Sequence, residues 1–212
     1  MKPLRKKPKT REEWLELRRT GLGSSEMSAV VGLSPWMTAS ELYEIKTGIK
    51  QAKDLSDNEE VSRGVRMEKP LRELFKATHP DMKVTYHPFD MLYQETTPFM
   101  RSTLDGEIKD GKRHGVLEIK SSSPNGKAGW DKWKDQIPQT YYIQVLSQLW
   151  NTGYDFAILY AALINRENDM TIREYRIERA DVEEDIEWLV EKATEFWNNV
   201  QSQSVPPLTF VF

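Results

Sequence analysis

The chain has 212 residues, of which 30% are charged and 10% aromatic, a composition typical of one globular domain with an ordinary core. Cysteine is absent, which excludes a disulfide scaffold, thiolate metal sites and a cysteine nucleophile. The net charge of −3 means that any contact with nucleic acid must use a local basic surface. Because no apolar run approaches the roughly 18 residues of a membrane helix and a signal-peptide core is lacking, we expect a cytoplasmic protein without membrane contact.

Thr10 and Glu13 predict the start of the first helix, because their spacing forms a capping box. Residues 1–9 before it are basic and contain prolines. We interpret them as a flexible arm, which either frays as an ordinary terminus or binds phosphates. Trp14 and Leu17 mark the apolar face of the helix. A second capping box at residues 38–41 predicts another helix.

A longer helical pattern follows a polar linker. Its apolar stripe recurs every three or four residues and includes one acid: Val61, Val65, Glu68, Leu71 and Phe75. Pro70 lies inside this pattern and requires a kink or a new helix start. A charge on such a stripe is costly unless it is paired or ligates a metal, so Glu68 is a candidate site residue. The alternative is a glutamate at the helix edge that rotates outward.

The remaining elements predict an α/β domain. In chain order they are strands between 83 and 109, a strand over 116–121, a helix from 138 to 151, strands over 156–163 and 171–178, and a last helix capped by Asp181. Helices precede, interrupt and follow the strands, which favours a mixed, largely antiparallel central sheet flanked by helices. We expect a single domain over 10–200 and an irregular tail over 201–212.

Two residues of the predicted strand at 116–121 carry charges on one face. Glu118 and Lys120 alternate with Leu117 and Ile119, so the charged pair faces one side of the sheet and the apolar pair faces the core. A carboxylate beside an ammonium suits catalysis, but a solvated hairpin face has the same pattern. This motif alone is weak.

A second acid, Asp105, lies 13 residues before Glu118. A turn over residues 110–115 would pair the two strands and bring both carboxylates to one edge of the sheet. Two such carboxylates can hold Mg²⁺ or Mn²⁺, which activates water and the phosphoryl oxygen. Lys120 could then orient or deprotonate the water. Locally, Asp105-Gly106 is equally typical of a hairpin turn.

The helix after Pro138 places Gln144 and Gln148 one turn apart on the same face. Such a face usually covers a sheet edge, although it could also position a water molecule or a phosphate. The three histidines lack the spacing of metal ligands.

Taken together, the order of these motifs resembles the phage lambda exonuclease and YqaJ-type viral recombinase family, within the PD-(D/E)xK nuclease superfamily. The resemblance covers residues 14–199, and five segments carry it: 14–18 with 23–26, 63–68, 105–106, 118–120, and Tyr141 with Gln144. Leu104 stands where the superfamily has proline, a residue that is not a ligand.

The resemblance implies a restriction-endonuclease-like core and a metal-dependent 5′→3′ exonuclease on linear double-stranded DNA. Such an enzyme leaves 3′ single-stranded tails for phage-type recombination, in the cytoplasm of a bacterial host if the chain is phage-encoded. The implied cofactor is Mg²⁺, with Mn²⁺ able to substitute. The implied partners are double-stranded DNA ends, a single-strand annealing protein and further copies of the chain in a homo-oligomer, most often a trimer.

The matching positions also imply roles. Asp105, Glu118 and the carbonyl of Ile119 would ligate the metal, and Lys120 would activate the water. Glu68 would support the metal site and Gln144 would help position the nucleophile.

Arg18 and Ser25 would hold the terminal 5′-phosphate. A guanidinium fork suits phosphate, and Ser25 precedes a predicted helix whose free N–H groups favour anions. Arg18 is otherwise an ordinary cation at a helix C-terminus.

Two other function classes stay open. One is a related endonuclease of the restriction or junction-resolving kind, and the other is a non-catalytic protein that binds DNA ends. The intact set of Asp105, Glu118 and Lys120 argues against the non-catalytic protein, while the segment of Arg18 and Ser25 favours the exonuclease over the endonuclease.

Overall fold

The computed structural model describes residues 2–55 and 57–205. Its strands, in chain order, are β1 (Leu4–Lys6), β2 (Leu22–Gly23), β3 (Lys83–Thr85), β4 (Met91–Tyr93), β5 (Met100–Arg101), β6 (Gly106–Asp110), β7 (Arg113–Ser122), β8 (Phe156–Ile164) and β9 (Met170–Glu178). Its α-helices are α1 (Arg11–Arg19), α2 (Met27–Val30), α3 (Ala39–Lys46), α4 (Glu59–Thr78), α5 (Gly126–Asp131), α6 (Gln139–Thr152) and α7 (Glu183–Ser202). No helix in this part of the chain has the length and apolar character needed to cross a membrane.

The central sheet has five strands in the order β3-β6-β7-β8-β9. Only β7 and β8 pair in parallel, and the other three pairings are antiparallel. This arrangement confirms the predicted mixed, largely antiparallel sheet. The crossover between β7 and β8 contains α5 and α6, as a parallel connection requires.

Helices cover both faces of the sheet, and β7 supplies side chains to each layer. Leu117 and Ile119 pack with Leu71 and Phe75 of α4 in one buried cluster. Val116 belongs to a second cluster, together with apolar residues of α6. Because successive strand residues point to opposite faces, Glu118 lies in the layer of α6.

Helix α4 runs unbroken through Pro70, so of the two predicted alternatives, a kink or a second helix start, the second helix start is wrong. Pro70 and Arg66, whose carbonyl loses its helical partner there, are both exposed, and water can replace the missing bond. The predicted apolar stripe is correct only in its second half. Leu71 and Phe75 are buried, whereas the side chains of Val61 and Val65 are 43% and 63% exposed.

The N-terminal arm differs from the flexible segment predicted over residues 1–9. Leu4–Lys6 forms β1, which pairs with β4 in antiparallel register. Arg5 anchors this strand through ion pairs to Asp90 and Glu107, at 2.8 and 2.7 Å. The arm is ordered because a long-range pairing, which local sequence does not reveal, supplies its hydrogen bonds.

The C-terminal prediction also needs revision. Helix α7 extends to Ser202, two residues into the predicted irregular tail, and residues 206–212 lie outside the described part. Asp181 does not cap this helix, because it ends a short 3₁₀ turn and Val182 occupies the capping position.

Gly115→Ala should destabilise the protein. Gly115 pairs with Phe156 across β7 and β8, and an added Cβ would lie 2.4 Å from two atoms of that buried ring. We expect the free energy of unfolding to fall by about 1–3 kcal/mol, because overpacking a protein core typically costs this much stability. Urea unfolding would measure it, with Gly64→Ala as the matched control.

The control substitution, in the open space around Gly64 inside α4, should raise the same free energy by about 0.5–1 kcal/mol. Equal midpoints for Gly115→Ala and wild type would contradict the tight contact with Phe156.

Candidate active site

The Glu118 carboxylate is the centre of the site. Its residue is 2% exposed, in the middle of β7. Gln144 Nε2 donates a hydrogen bond to Oε1 at 2.6 Å, and Gln148 Nε2 donates one to Oε2 at 2.5 Å. The two glutamines are one turn apart on α6, so a single helix face holds both oxygens of the carboxylate.

Lys120 neutralises this buried carboxylate. Its Nζ lies 2.7 Å from Glu118 Oε1 and donates a hydrogen bond to Gln144 Oε1 at 3.0 Å. Nζ also lies 5.1 Å from the centre of the Tyr141 ring, a cation–π distance. Burial lowers the pKa of Lys120, but the carboxylates of Glu118 and Asp105 outweigh it and the net shift is upward.

Asp105 joins Glu118 at the edge where β6 begins. Gly106 pairs with Leu117, and the carboxylate Oδ2 of Asp105 accepts the Ile119 N–H at 2.8 Å. Because the N–H and C=O of a strand residue point to the same edge, the Ile119 carbonyl also faces Asp105. Loss of hydration raises the pKa of the Asp105 carboxyl well above its usual range, and the charge of Glu118 adds to the shift.

Glu68 brings a third carboxylate to the site from α4. The residue is half-buried, and burial raises its pKa, with a further contribution from Glu118. Arg72, one turn later, donates a hydrogen bond to the Asp105 carbonyl at 2.6 Å and lies over the Tyr86 ring at 3.8 Å. This arginine ties α4 to the start of β6, and its i+4 spacing from Glu68 is a signal that the sequence analysis missed.

The donor atoms fit a hard divalent cation. Carboxylates of Asp105 and Glu118 and the Ile119 carbonyl all present oxygen at one sheet edge, and oxygen is what Mg²⁺ prefers. The three neighbouring carboxylates outnumber the two cations, Lys120 and Arg72, which favours a further cation. Within residues 2–55 and 57–205, no three His, Cys, Asp or Glu side chains are grouped tightly enough to hold a metal by themselves.

A cavity of about 60 Å³ adjoins this centre, and Gln144 lines it. Arg18 and Ser25 line it as well, and Arg18 Nη2 donates a hydrogen bond to Ser25 Oγ at 3.3 Å. The Arg18 guanidinium lies 4.7 Å from the centre of the Trp14 ring. The helix after Ser25 has only four residues, so side chains rather than a helix dipole define the charge of this cavity.

A buried ion pair behind Arg18 was not visible in the sequence. Lys46 Nζ lies 2.8 Å from Glu26 Oε2 and donates a hydrogen bond to the Arg18 carbonyl at 3.1 Å. Glu26 Oε2 also accepts the Gly23 N–H at 2.7 Å. Burial lowers the pKa of Lys46, and Glu26 opposes that shift. The pair fixes the backbone on both sides of the cavity.

Arg101 is a second cation in the cavity. It donates hydrogen bonds to the Thr20 hydroxyl at 2.9 Å and to the carbonyls of Pro98, at 3.0 Å, and Leu17. Arg101 lies in the segment that leads to Asp105, but nothing in the sequence indicates that its guanidinium faces α1, the helix that contains Arg18.

Asp105→Asn should stabilise the protein in the presence of a chelator. The substitution removes a poorly hydrated carboxylate that Glu118 and Glu68 repel, and an Asn oxygen can still accept the Ile119 N–H. A higher melting temperature than wild type at neutral pH is therefore expected. Exposed Asp131, changed to Asn, is the matched control and should leave the melting temperature unchanged. A lower melting temperature for Asp105→Asn would show that the carboxylate is not strained.

Comparison with known structures concerns the fold. Solved structures with similar folds include an alkaline exonuclease (LHK-Exo) from Laribacter hongkongensis, with a TM-score of 0.69, 20% identity, and 91% of this chain and 94% of that one covered. LHK-Exo in complex with dAMP gives a TM-score of 0.67 at 17% identity, with the same coverage. A phage-related exonuclease from Haemophilus somnus 129PT gives 0.56 at 14% identity, covering 86% and 96% of the chains. These likenesses confirm the predicted α/β nuclease fold.

The chain is also similar in sequence to a known protein family. The chain is 30% identical over 190 residues to the uncharacterized protein YqaJ of Bacillus subtilis (strain 168), covering 90% of this chain and 56% of that protein. The chain thus spans about half the length of this relative. Residues 13–155 match the model of the YqaJ-like viral recombinase domain. This match covers more than half of the chain, which therefore belongs to the YqaJ-like viral recombinase domain family.

Proposed function

We propose that the chain is a metal-dependent nuclease that degrades linear double-stranded DNA from its 5′ ends. The observation that carries the proposal is the meeting of Asp105, Glu118 and Lys120 at one sheet edge, next to the cavity of Arg18. The family and the exonuclease folds among similar structures support it. One of those structures holds dAMP, a deoxynucleotide.

The proposed cofactor is Mg²⁺, with Mn²⁺ able to substitute. Asp105, Glu118 and the Ile119 carbonyl would hold the ion, and Glu68 would add negative charge beside it. A divalent ion bound there supplies a Lewis acid for the phosphoryl oxygen and a water of lowered pKa. The glutamines of α6 keep the Glu118 oxygens in place, so the ligand geometry does not depend on the ion alone.

Lys120 and Gln144 would handle the attacking water. The Lys120 ammonium lies between Glu118 and Gln144, within hydrogen-bond reach of both. A water molecule at the ion could therefore be oriented by the Lys120 ammonium, and its proton would leave to solvent. Gln144 faces both the catalytic carboxylate and the cavity, so it links the position of the nucleophile to the position of the DNA end.

The cavity supports the proposed 5′→3′ polarity. A terminal phosphate offers more charge and more oxygens than an internal diester, and Arg18 can meet two of those oxygens at once. With the 5′-phosphate held by Arg18 and Ser25, the first phosphodiester would lie toward Gln144 and the proposed metal ligands. Repeated cleavage in this orientation would leave 3′ single-stranded tails.

The proposed setting is phage-type recombination. The 3′ tails would pass to a single-strand annealing protein, and the enzyme would act as a homo-oligomer, a ring of three copies around the duplex. A ring suits a chain whose net charge is −3, because enclosure rather than overall charge would keep it on DNA.

A comparison of linear and covalently closed circular duplexes tests this function. With Mg²⁺, the protein should degrade the linear duplex and leave the circle intact. Cutting of circles would favour an endonuclease of the restriction or junction-resolving kind. Binding of ends without any degradation would identify a non-catalytic DNA-end-binding protein.

Lys120→Ala should lose turnover and keep DNA affinity. A positioned proton-transfer or orienting group contributes about 10²–10⁴ in rate, so single-turnover digestion should slow by that factor. Lys112→Ala, at the exposed turn between β6 and β7, is the control and should digest at the wild-type rate. If Lys120→Ala instead lost affinity while bound DNA reacted normally, Lys120 would be a phosphate contact.

Arg18→Ala should remove the preference for 5′-phosphorylated ends. Charged hydrogen bonds contribute about 1.5–3 kcal/mol, so digestion of 5′-phosphorylated duplex should slow roughly tenfold to a hundredfold. Digestion of 5′-hydroxyl duplex should change much less. The matched control is Arg19→Ala, whose exposed side chain pairs with Glu16 outside the cavity. An undiminished preference in Arg18→Ala would place the phosphate site elsewhere.

A further inference from the structure

We propose that Lys6, Lys7 and Lys9 form a binding surface for the phosphate backbone of a DNA duplex whose end occupies the Arg18 cavity. This inference rests on the proposed function, because it takes double-stranded DNA as the ligand. It adds a second contact region, outside the site described above, that would hold the duplex beside the terminal nucleotide. We call these three residues the lysine strip.

The charge distribution singles out this segment. Residues 2–9 hold five of the 30 Lys and Arg residues and none of the 33 acidic ones, in a chain of net charge −3. Lys6, Lys7 and Lys9 are exposed. In the described part of the chain, Arg5 is the cation of this segment that forms ion pairs, and the three lysines of the strip form none. Lys6 Nζ lies 5.8 Å from the centre of the Tyr93 ring, a contact that does not neutralise its charge. The positive charge of all three lysines is therefore available to a ligand.

The strip is held in place before any ligand binds. Arg5 joins Asp90 at 2.8 Å and Glu107 at 2.7 Å, and its side chain is only 22% exposed. The pairing of β1 with β4 adds backbone hydrogen bonds on the same segment. A surface that is ordered in advance loses less conformational entropy on binding, which favours affinity.

Strand register directs the strip toward the cavity. Arg5 and Lys6 are successive residues of β1, so they point to opposite faces, and Arg5 takes the face of its two carboxylates. Lys6 pairs with Met91, and directly opposite residues of an antiparallel pair share a face. Met91 lines the cavity that contains Arg18. Lys6 therefore lies on the side of the ribbon that borders this cavity.

The chain after Lys6 continues to the same cavity. Lys7 and Lys9 lead directly into α1, whose Trp14 and Arg18 line the cavity wall. The nine residues of α1 span about 14 Å, which is the length of about four base-pair steps. A duplex with its terminal phosphate at Arg18 can therefore reach the strip with phosphates near its end.

The chemistry of the strip suits a ligand of uniform negative charge. Lysine is a flexible point charge that contacts phosphates without reading base sequence. Its continuity with the Arg18 and Arg101 cavity favours DNA over an acidic protein, since one ligand then accounts for both groups of cations.

The test is a triple substitution, Lys6→Gln with Lys7→Gln and Lys9→Gln, which leaves the Arg5 anchor intact. The matched control changes three other exposed lysines to glutamine, at positions 83, 109 and 112. These lie at the opposite end of β6 from Asp105, along β3 and the turn before β7, and carry the same charge change. Equal melting temperatures of the three proteins would show that folding is unaffected.

The measurement is the dissociation constant of a 5′-phosphorylated duplex in chelator, by fluorescence anisotropy at several salt concentrations. Each lost phosphate contact lowers the slope of log affinity against log salt by about 0.9, so the strip variant should lose about 2–3 from the slope. Its affinity at low salt should fall by about tenfold or more, whereas the control should keep the wild-type slope.

The outcomes separate the two proposals. If wild type digests linear duplex and the strip variant keeps the wild-type slope and affinity, the strip proposal is wrong and the nuclease proposal stands. If wild type binds but does not digest DNA with Mg²⁺, and the strip variant still loses slope, the strip proposal stands and the nuclease proposal is wrong. Equal losses in the strip variant and the control would show an effect of net charge only, which also overturns the strip. Absence of any duplex binding by wild type overturns both.

Discussion

A buried carboxylate, that of Glu118, is the constraint on which the rest of the site depends. Taking such a charge out of water costs several kcal/mol unless partners replace its hydration. Here one ammonium and two amides do so: Lys120 from the same strand, and Gln144 and Gln148 from α6. Oε1 takes Lys120 and Gln144 while Oε2 takes Gln148, so removal of any partner would weaken the replacement of its hydration, and β7 and α6 must keep a fixed relation.

The sheet then determines where the second carboxylate lies. Antiparallel pairing of β6 with β7 places Asp105 at the end of the ladder, where its Oδ2 takes the free Ile119 N–H. The carboxylates are thereby held close together by backbone geometry, against their repulsion. Such an arrangement is unfavourable for a folded chain by itself and favourable for a bound cation, as expected where function rather than stability selects the residues.

Much of this arrangement was predictable from local sequence patterns. The alternation of Leu117, Glu118 and Ile119 predicts which layer receives the carboxylate, and a short hairpin predicts its meeting with Asp105. The actual turn is tighter than predicted, with Gly111 and Lys112 between Asp110 and Arg113, while Gly115 lies within β7. The meeting of the two acids tolerates this difference because the register is set by the strands.

Other features depend on contacts between distant segments, and local patterns do not encode them. The Lys46–Glu26 ion pair joins α3 to a 3₁₀ turn, and β1 is ordered by β4, nearly 90 residues away. Val65 illustrates the opposite error, since helical periodicity suggested a buried position but no element among the described residues covers that end of α4. Periodicity predicts a face of a helix, and only tertiary packing decides how far along the helix that face is buried.

The most direct test of the account is the rate of nucleotide release from a linear 5′-phosphorylated duplex by wild type and Glu118→Gln, with Mg²⁺ and with a chelator. Glutamine keeps the size of the side chain and removes its charge. We predict metal-dependent release by wild type and a loss of at least about 10³-fold in the variant, since metal-held charge stabilisation is worth several kcal/mol. Release by Glu118→Gln at the wild-type rate, or undiminished release by wild type in chelator, would contradict a metal-dependent nuclease centred on this carboxylate.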